Sequence, residues 1–190
     1  MTVLLTGFEP FDGAATNPSW EAVCLTPANI AGHEVHRLCL PVVFGEAAAL
    51  LKEAIRRLRP QVVICCGVAN GRQAVTPELV ALNYRHARIP DNAGQSFFDH
   101  TIAQDGPIAR KTSLPVHAMI SAMQAREIPA HLSLSAGAYV CNDVYWALLE
   151  SEAEFGHKGL FLHVPGSEVV DAAKAAQAIV LCVETALADC

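Results

Sequence analysis

Strand-type apolar runs alternate with helix-type segments along this chain, and no other feature of the sequence narrows its fold as much. VLLTGF (3–8) is the first run; after a glycine-containing loop, Asn17 and Pro18 supply a helix cap and a first-turn proline ahead of SWEAVCL. HEVHRLCLP (33–41) reads as a strand, GEAAALLKEAIRRLR (45–59) as an amphipathic helix closed by Pro60, and QVVICCG (61–67) as a buried strand. LPVHAMISAMQAREI (114–128) returns to helix, HLSLS (131–135) to strand, and the segment after Cys141 to helix again. GLFLHVP (159–165) is one more strand, followed by a long helix over 168–189. The order predicts an α/β fold: a single domain, residues 1–190, built as a three-layer α/β/α sandwich on a mostly parallel central sheet. Residues 68–110 carry turn formers and charges with few clear elements. A stretch that long in a compact domain is a candidate for function.

Composition removes several classes of function. Hydrophobic residues make up 52% of the 190, enough for a substantial core. The net charge of -6, with no block of clustered Lys and Arg, predicts no nucleic-acid partner. The opening MTVLLTGFEP has no basic leader and only a short apolar run, and later apolar stretches are interrupted. The expectation is a soluble, cytoplasmic protein without a membrane partner. GxSxG, GxxxxGK and HExxH are all absent, so serine-hydrolase, nucleotide-hydrolysing and zinc-peptidase readings lack their anchors. His33 and His36, spaced by three on a strand, point to opposite faces and cannot readily share an ion.

The seven cysteines, Cys24, Cys39, Cys65, Cys66, Cys141, Cys182 and Cys190, form no CxxC spacing and are odd in number. Neither a disulfide framework nor a metal site follows from them. Free cysteine is usually a small buried hydrophobe, which suits Cys65 and Cys66 in VVICCG and Cys182 in an alanine-rich helix. Cys141 is different: in SAGAYVCNDVYWALL (135–149) it stands where small residues turn into a helix. In α/β folds ligands gather at the carboxyl ends of strands, where loops lead into helix N-termini. The unpaired N–H groups there favour thiolate over thiol, so the position predicts a lowered pKa. His163, near the end of the next strand, can reach the same edge as a general base. Buried cysteines and edge histidines are also common in sites that do no chemistry.

That pair stands among several motifs. TGFEPFDGAATNPSW at the start, LPVVFGEA (40–47), VTPELVALN (75–83), ARIPDNAG (87–94), DGP and SLPV (105–116), SAGAYVCND (135–143) and HVP (163–165) together resemble the pyroglutamyl peptidase I, or pyrrolidone-carboxylate peptidase, family. Members are cysteine peptidases that remove an N-terminal pyroglutamate from small peptides without metal or cofactor, and they are often tetramers. The resemblance therefore implies Cys141 as nucleophile, His163 as base and Glu78 as the carboxylate that orients the imidazole, acting through a thioester. On its own, Glu78 reads as a surface carboxylate. The backbone N–H of Cys141 is one candidate oxyanion donor, and resemblance adds Arg88 as another, for which a surface pair with Asp91 is an equally good reading.

A neutral lactam calls for apolar walls and no partner for a free ammonium. Resemblance nominates Phe8, Phe11, Ile89, Tyr139 and Val140 as those walls, with Ile89 and Val140 reading almost as well as core residues. The chain also departs from the family pattern. GVANGR (67–72) stands where GQAGGR is common, so Val68 replaces a glutamine expected near substrate and Asn70 a glycine. Asp12 replaces a frequent glycine, Gly166 a frequent aromatic residue, and Leu79 a basic residue. Two other readings stand beside the peptidase: a binding module holding blocked peptide N-termini without turnover, and a phosphorylase-like enzyme, which leaves Cys141 without a purpose.

Overall fold

The computed structural model describes residues 2–189. Its six-stranded sheet runs in the order β2 (Asn29–Ile30), β3 (His33–Leu40), β1 (Thr2–Phe8), β4 (Val62–Val68), β8 (Lys158–Val164), β5 (Thr76–Pro77). The four inner strands are mutually parallel, and the short outer strands are antiparallel to their neighbours. Pro77, which has no N–H to give a ladder, sits on the edge strand where that costs nothing.

Side chains of a strand alternate between faces, and each face of this sheet has its own helices. Val3, Leu5, Ile64 and Leu162 pack with α1 (Pro18–Leu25), α3 (Val116–Gln124) and α5 (Ala172–Ala188). Leu4, Val63, Cys65 and Phe161 pack with α2 (Glu46–Leu58) and α4 (Val140–Phe155). The result is the α/β/α sandwich that the alternation predicts. Asn17 caps α1 by accepting from the Ser19 N–H at 3.0 Å, with Pro18 in the first turn. From β1 the chain crosses to β3 on one side and then returns to β4 on the other. The carboxyl ends of β1 and β4 therefore flank a crevice, the usual ligand position in open parallel sheets.

Three expected elements differ. HLSLS does not form a continuous strand: the His131 and Ser133 N–H groups donate to the Val75 and Pro77 carbonyls, but the pairing is confined to isolated bridges of Ala130 with Val75 and Ser133 with Glu78. The helix expected over 114–128 is confined to Val116–Gln124, because residues 125–128 close in a tight turn with Glu127 at a φ of 57°. The last helix starts at Ala172, where the Asp171 carboxylate caps it from the Lys174 N–H, so Glu168 lies in the preceding loop. Within residues 68–110, β5, β6 (Val80–Leu82) and β7 (Ala109–Lys111) are short, β6 pairs with β7, and the rest wraps over the carboxyl edge of the sheet. Among the described residues no helix is long and apolar enough to cross a membrane.

Candidate active site

Strand register builds the site. On β4 and β8, Gly67 is paired with His163, and on the other side of β8 Thr76 of β5 is also paired with His163. Beyond Pro77 the chain keeps this antiparallel course, the Glu78 N–H donating to the Phe161 carbonyl at 2.9 Å. Glu78 therefore lies diagonally across from His163 on the same face, and the His163 Nδ1 is 2.7 Å from its Oε1. The Arg72 Nη1 donates to that same oxygen at 2.6 Å and also to the Thr76 hydroxyl. Glu78 is fully buried, and its Oε2 has no partner. The Tyr145 hydroxyl of α4 donates to the Glu78 carbonyl at 2.8 Å and fixes the backbone beneath.

Cys141 comes down on this face from α4. A Cβ added at Gly67 would sit 2.9 Å from the Cys141 Sγ and 2.9 Å from the Phe161 ring, so the thiol rests on the bare backbone that only glycine leaves, beside His163. The two residues after Cys141 hold the helix start in place. Asn142 accepts from the Leu82 N–H at 2.8 Å and donates to the carbonyls of Leu82 and Tyr84. Asp143, almost wholly buried, accepts from the Gly45 N–H at 2.9 Å and from the Arg85 Nε at 2.6 Å. Its carboxylate also lies in the first turn of α4, where the positive helix end stabilises it.

Cys141 and His163 line one cavity of about 140 Å³, whose other walls are Phe8, Phe11, Val42, Val68, Tyr139 and Val140, with Asn17 and Ala136. Among the described residues no carboxylate lines it. Tyr139 is held by its hydroxyl bond to the Pro90 carbonyl at 2.9 Å and by ring contacts with Phe11 and Phe44. The loop carrying Pro90 is organised by buried Asp91, which accepts from the N–H groups of Phe44, Ala93 and Gln95. Asp91 is thus not paired with Arg88, which is exposed. Arg88 and Ile89 line a neighbouring cavity with Phe11, His86 and Tyr139, rather than the cavity of Cys141. A third cavity, sharing Phe11, Asn17 and Val68 with the first, is walled by Asp12, Asn70, Ser167 and Glu168.

Electrostatics at the sulfur run against the expectation of a lowered pKa. Burial first and the Glu78 carboxylate second push the Cys141 thiol up to about 12, and Arg72 and its own backbone N–H only partly offset them. The positive helix end is present but outweighed. Burial also lowers the His163 pKa below its ordinary value of 6.5, against the opposing effect of Glu78 and with the help of Arg72. The resting pair is a neutral thiol and a neutral imidazole.

The whole sequence, residues 1–190, matches the family model described as pyroglutamyl peptidase. The chain belongs to the pyroglutamyl peptidase family. It is 48% identical over 165 residues to the pyrrolidone-carboxylate peptidase of Klebsiella pneumoniae, covering 86% of this chain and 77% of that one. With the pyrrolidone-carboxylate peptidase of Enterococcus faecalis it shares 45% over 167 residues, covering 87% and 78%. Among solved structures, the pyroglutamyl peptidase I of Bacillus amyloliquefaciens superposes with a TM-score of 0.91 at 36% identity, over 97% of this chain and 94% of that one. The pyrrolidone carboxyl peptidase of Thermococcus litoralis gives 0.92 at 34%, over 98% and 93%.

Set against the pyroglutamyl peptidase pattern, the departures gather in one place: Asp12, Val68, Asn70 and Gly166 all line the third cavity. Asp12 has a φ of 53°, the left-handed region that a glycine would occupy without strain. Over Gly166, where family members often carry an aromatic residue, the Glu168 carboxylate fills the space a side chain would need. Leu79 instead packs against the opposite core. Asn17, Val42, Ala136 and Arg72 belong to the site and escape the sequence reading. Asn17 reads there only as a helix cap, and the GVANGR motif contains Arg72 without indicating its partner.

Proposed function

We propose that this protein removes N-terminal pyroglutamate from small peptides, with Cys141 as nucleophile, His163 as proton carrier and Glu78 orienting the imidazole. One observation carries the reading: a thiol and a glutamate-tethered imidazole open together into an apolar cavity that no carboxylate lines. A free N-terminal ammonium entering that cavity would lose its hydration without a counter-charge, whereas the neutral lactam loses little.

The chemistry follows from the resting protonation states. Glu78 accepts from Nδ1–H, which leaves Nε2 as the base. As Sγ bonds to the pyroglutamyl carbonyl carbon, the thiol proton passes to Nε2 and the carbonyl becomes an oxyanion. Neither Val140 nor Cys141 gives its N–H to a backbone carbonyl, so the start of α4 offers donors to that oxygen. Collapse breaks the C–N bond, and the departing amine takes the proton from His163. Water then adds to the thioester, giving its proton to the imidazole, and the leaving Cys141 sulfur recovers it as free pyroglutamate departs.

Hydrolysis of fluorogenic amides tests the assignment. Release from the pyroglutamyl amide, with none from the glutaminyl or glutamyl amides, is expected; equal cleavage of all three would refute the pocket argument. Binding of the pyroglutamyl amide without turnover would replace the peptidase by a binding module.

A further inference from the structure

We infer that Arg72 is a positioning residue of this site: its guanidinium shares the Oε1 of the buried Glu78 carboxylate with the imidazole and draws off part of that oxygen's charge, so that His163 rests as the neutral imidazole able to accept the Cys141 proton. The inference rests on the peptidase reading of the same residues. It starts from a convergence. Arg72, in the turn after β4, and His163 both bond to the Glu78 Oε1, at 2.6 and 2.7 Å, while Oε2 is buried and unpartnered. Arg72 is itself held by its bond to the Thr76 hydroxyl, and Thr76 is the register partner of His163. Cation, carboxylate and imidazole are therefore fixed by one strand pair.

The physics of such a trio depends on the cation. A fully buried carboxylate with only an imidazole beside it has two ways to avoid an isolated charge. It can keep a proton, and then it no longer orients the imidazole as a charged acceptor. Alternatively it can hold the imidazole as imidazolium, and then nothing remains to take the thiol proton. A guanidinium on the same oxygen neutralises the carboxylate beforehand, with a fork that stays charged at all working pH values. Oxygen Oε1 still faces the ring when the imidazolium forms during thiol attack. Among the described residues, Cys141 and Tyr145 from α4 and Cys65 from β4 lie close by, and all three hold their protons through neutral pH. Arg72 is thus the cation that balances Glu78, and it acts in the same direction on His163 and on Cys141, lowering both.

The test titrates the His163 imidazole by NMR in histidine-labelled protein, assigned with His163→Ala, alongside kcat/KM against pH for a pyroglutamyl amide. In Arg72→Gln the imidazole midpoint and the acid limb of kcat/KM are both expected to move up by about one pH unit, the usual effect of one close charge. Arg72→Lys keeps the charge but loses the fork, so it should move by less than half of that and recover most of the activity. If Arg72→Gln does not fold, Arg72→Lys carries the test, with a rise of a few tenths expected. An unmoved midpoint in the folded variant overturns the inference, and a loss of activity at constant midpoint and limb would make Arg72 merely structural. The NMR midpoint is read without substrate. An inactive wild-type enzyme with the expected shift would therefore refute the peptidase reading alone, and an active one without the shift would refute the Arg72 inference alone.

Discussion

Cys182 and Cys141 hold their protons equally firmly, since burial pushes both thiols up to about 12, but their surroundings share almost nothing else. Cys182 lies on the inner face of α5 among Val183, Ile179 and their core neighbours, with only another buried thiol, Cys66, near enough to act on it and no access from solvent. Cys141 lies at the first turn of α4, on a cavity wall, with His163 beside it and a carboxylate and a guanidinium behind. On the proposed mechanism, thiol acidity in the resting protein does not separate the nucleophile from a core residue. A base in place to take the proton, and a cavity through which substrate reaches the sulfur, do.

Replacing the two cysteines gives the largest contrast. Cys141→Ala is expected to reduce hydrolysis of a pyroglutamyl amide by about 10⁴-fold or more with little change in melting temperature. Cys182→Ala should keep its kcat and lose about 1 kcal/mol of stability through the missing core sulfur. Activity in the first variant or its loss in the second would erase the distinction. Next comes His163→Ala, for which a loss of about 10³-fold is expected. In the wild type the imidazole must be neutral to act, and its pKa is lowered, so kcat/KM should rise with pH through a midpoint below the ordinary histidine value of 6.5. Alkylation by iodoacetamide needs the thiolate instead, and since the thiol pKa is raised, its rate at Cys141 should still be climbing at pH 9. A plateau at neutral pH would show a preformed ion pair.

Smaller effects sharpen the picture of the edge itself. Gly67→Ala places a methyl 2.9 Å from the Sγ, and displacing the sulfur should cost about 10- to 100-fold in kcat. The null result, an unchanged kcat in a folded protein, would mean that the thiol acts from another position. The mildest change is Val68→Gln, where a restored hydrogen bond to the lactam, about 0.5 to 1.5 kcal/mol, should lower KM two- to tenfold. Val68 is only partly buried and faces both the nucleophile cavity and its neighbour, so the longer side chain has room. A raised KM with a lower melting temperature would place Val68 in the core instead.

The parts of this molecule legible in its sequence are those whose pattern is local. Inner strands such as VVICC are continuous apolar runs because both faces are covered, and the amphipathic period of α2 shows its one buried stripe. Edge strands of two or three residues carry no period, so β2, β5, β6 and β7 leave no trace. HLSLS has the alternation of a strand, and backbone bonds tie His131 and Ser133 to the chain around β5, but the pairing breaks into separate bridges at Ala130 and Ser133, an interruption that the pattern does not record. At the site, Cys141 and His163 are legible because each ends or begins a recognisable element. Glu78 is visible only through family resemblance, and Arg72 not at all, since what joins them to His163 is the antiparallel return of β5 along β8, a contact made across more than eighty residues of chain.

In the proposed mechanism the sulfur of Cys141 carries the pyroglutamyl group during turnover. Rapid acid quench of the enzyme with saturating pyroglutamyl amide, followed by intact mass and peptide mapping, measures this directly. One pyroglutamyl adduct is expected, on the peptide containing Cys141, labile to hydroxylamine as a thioester is, and none on the exposed Cys24 and Cys39. An adduct confined to an exposed thiol in an enzyme that is turning over, or its persistence in Cys141→Ala, would contradict that mechanism.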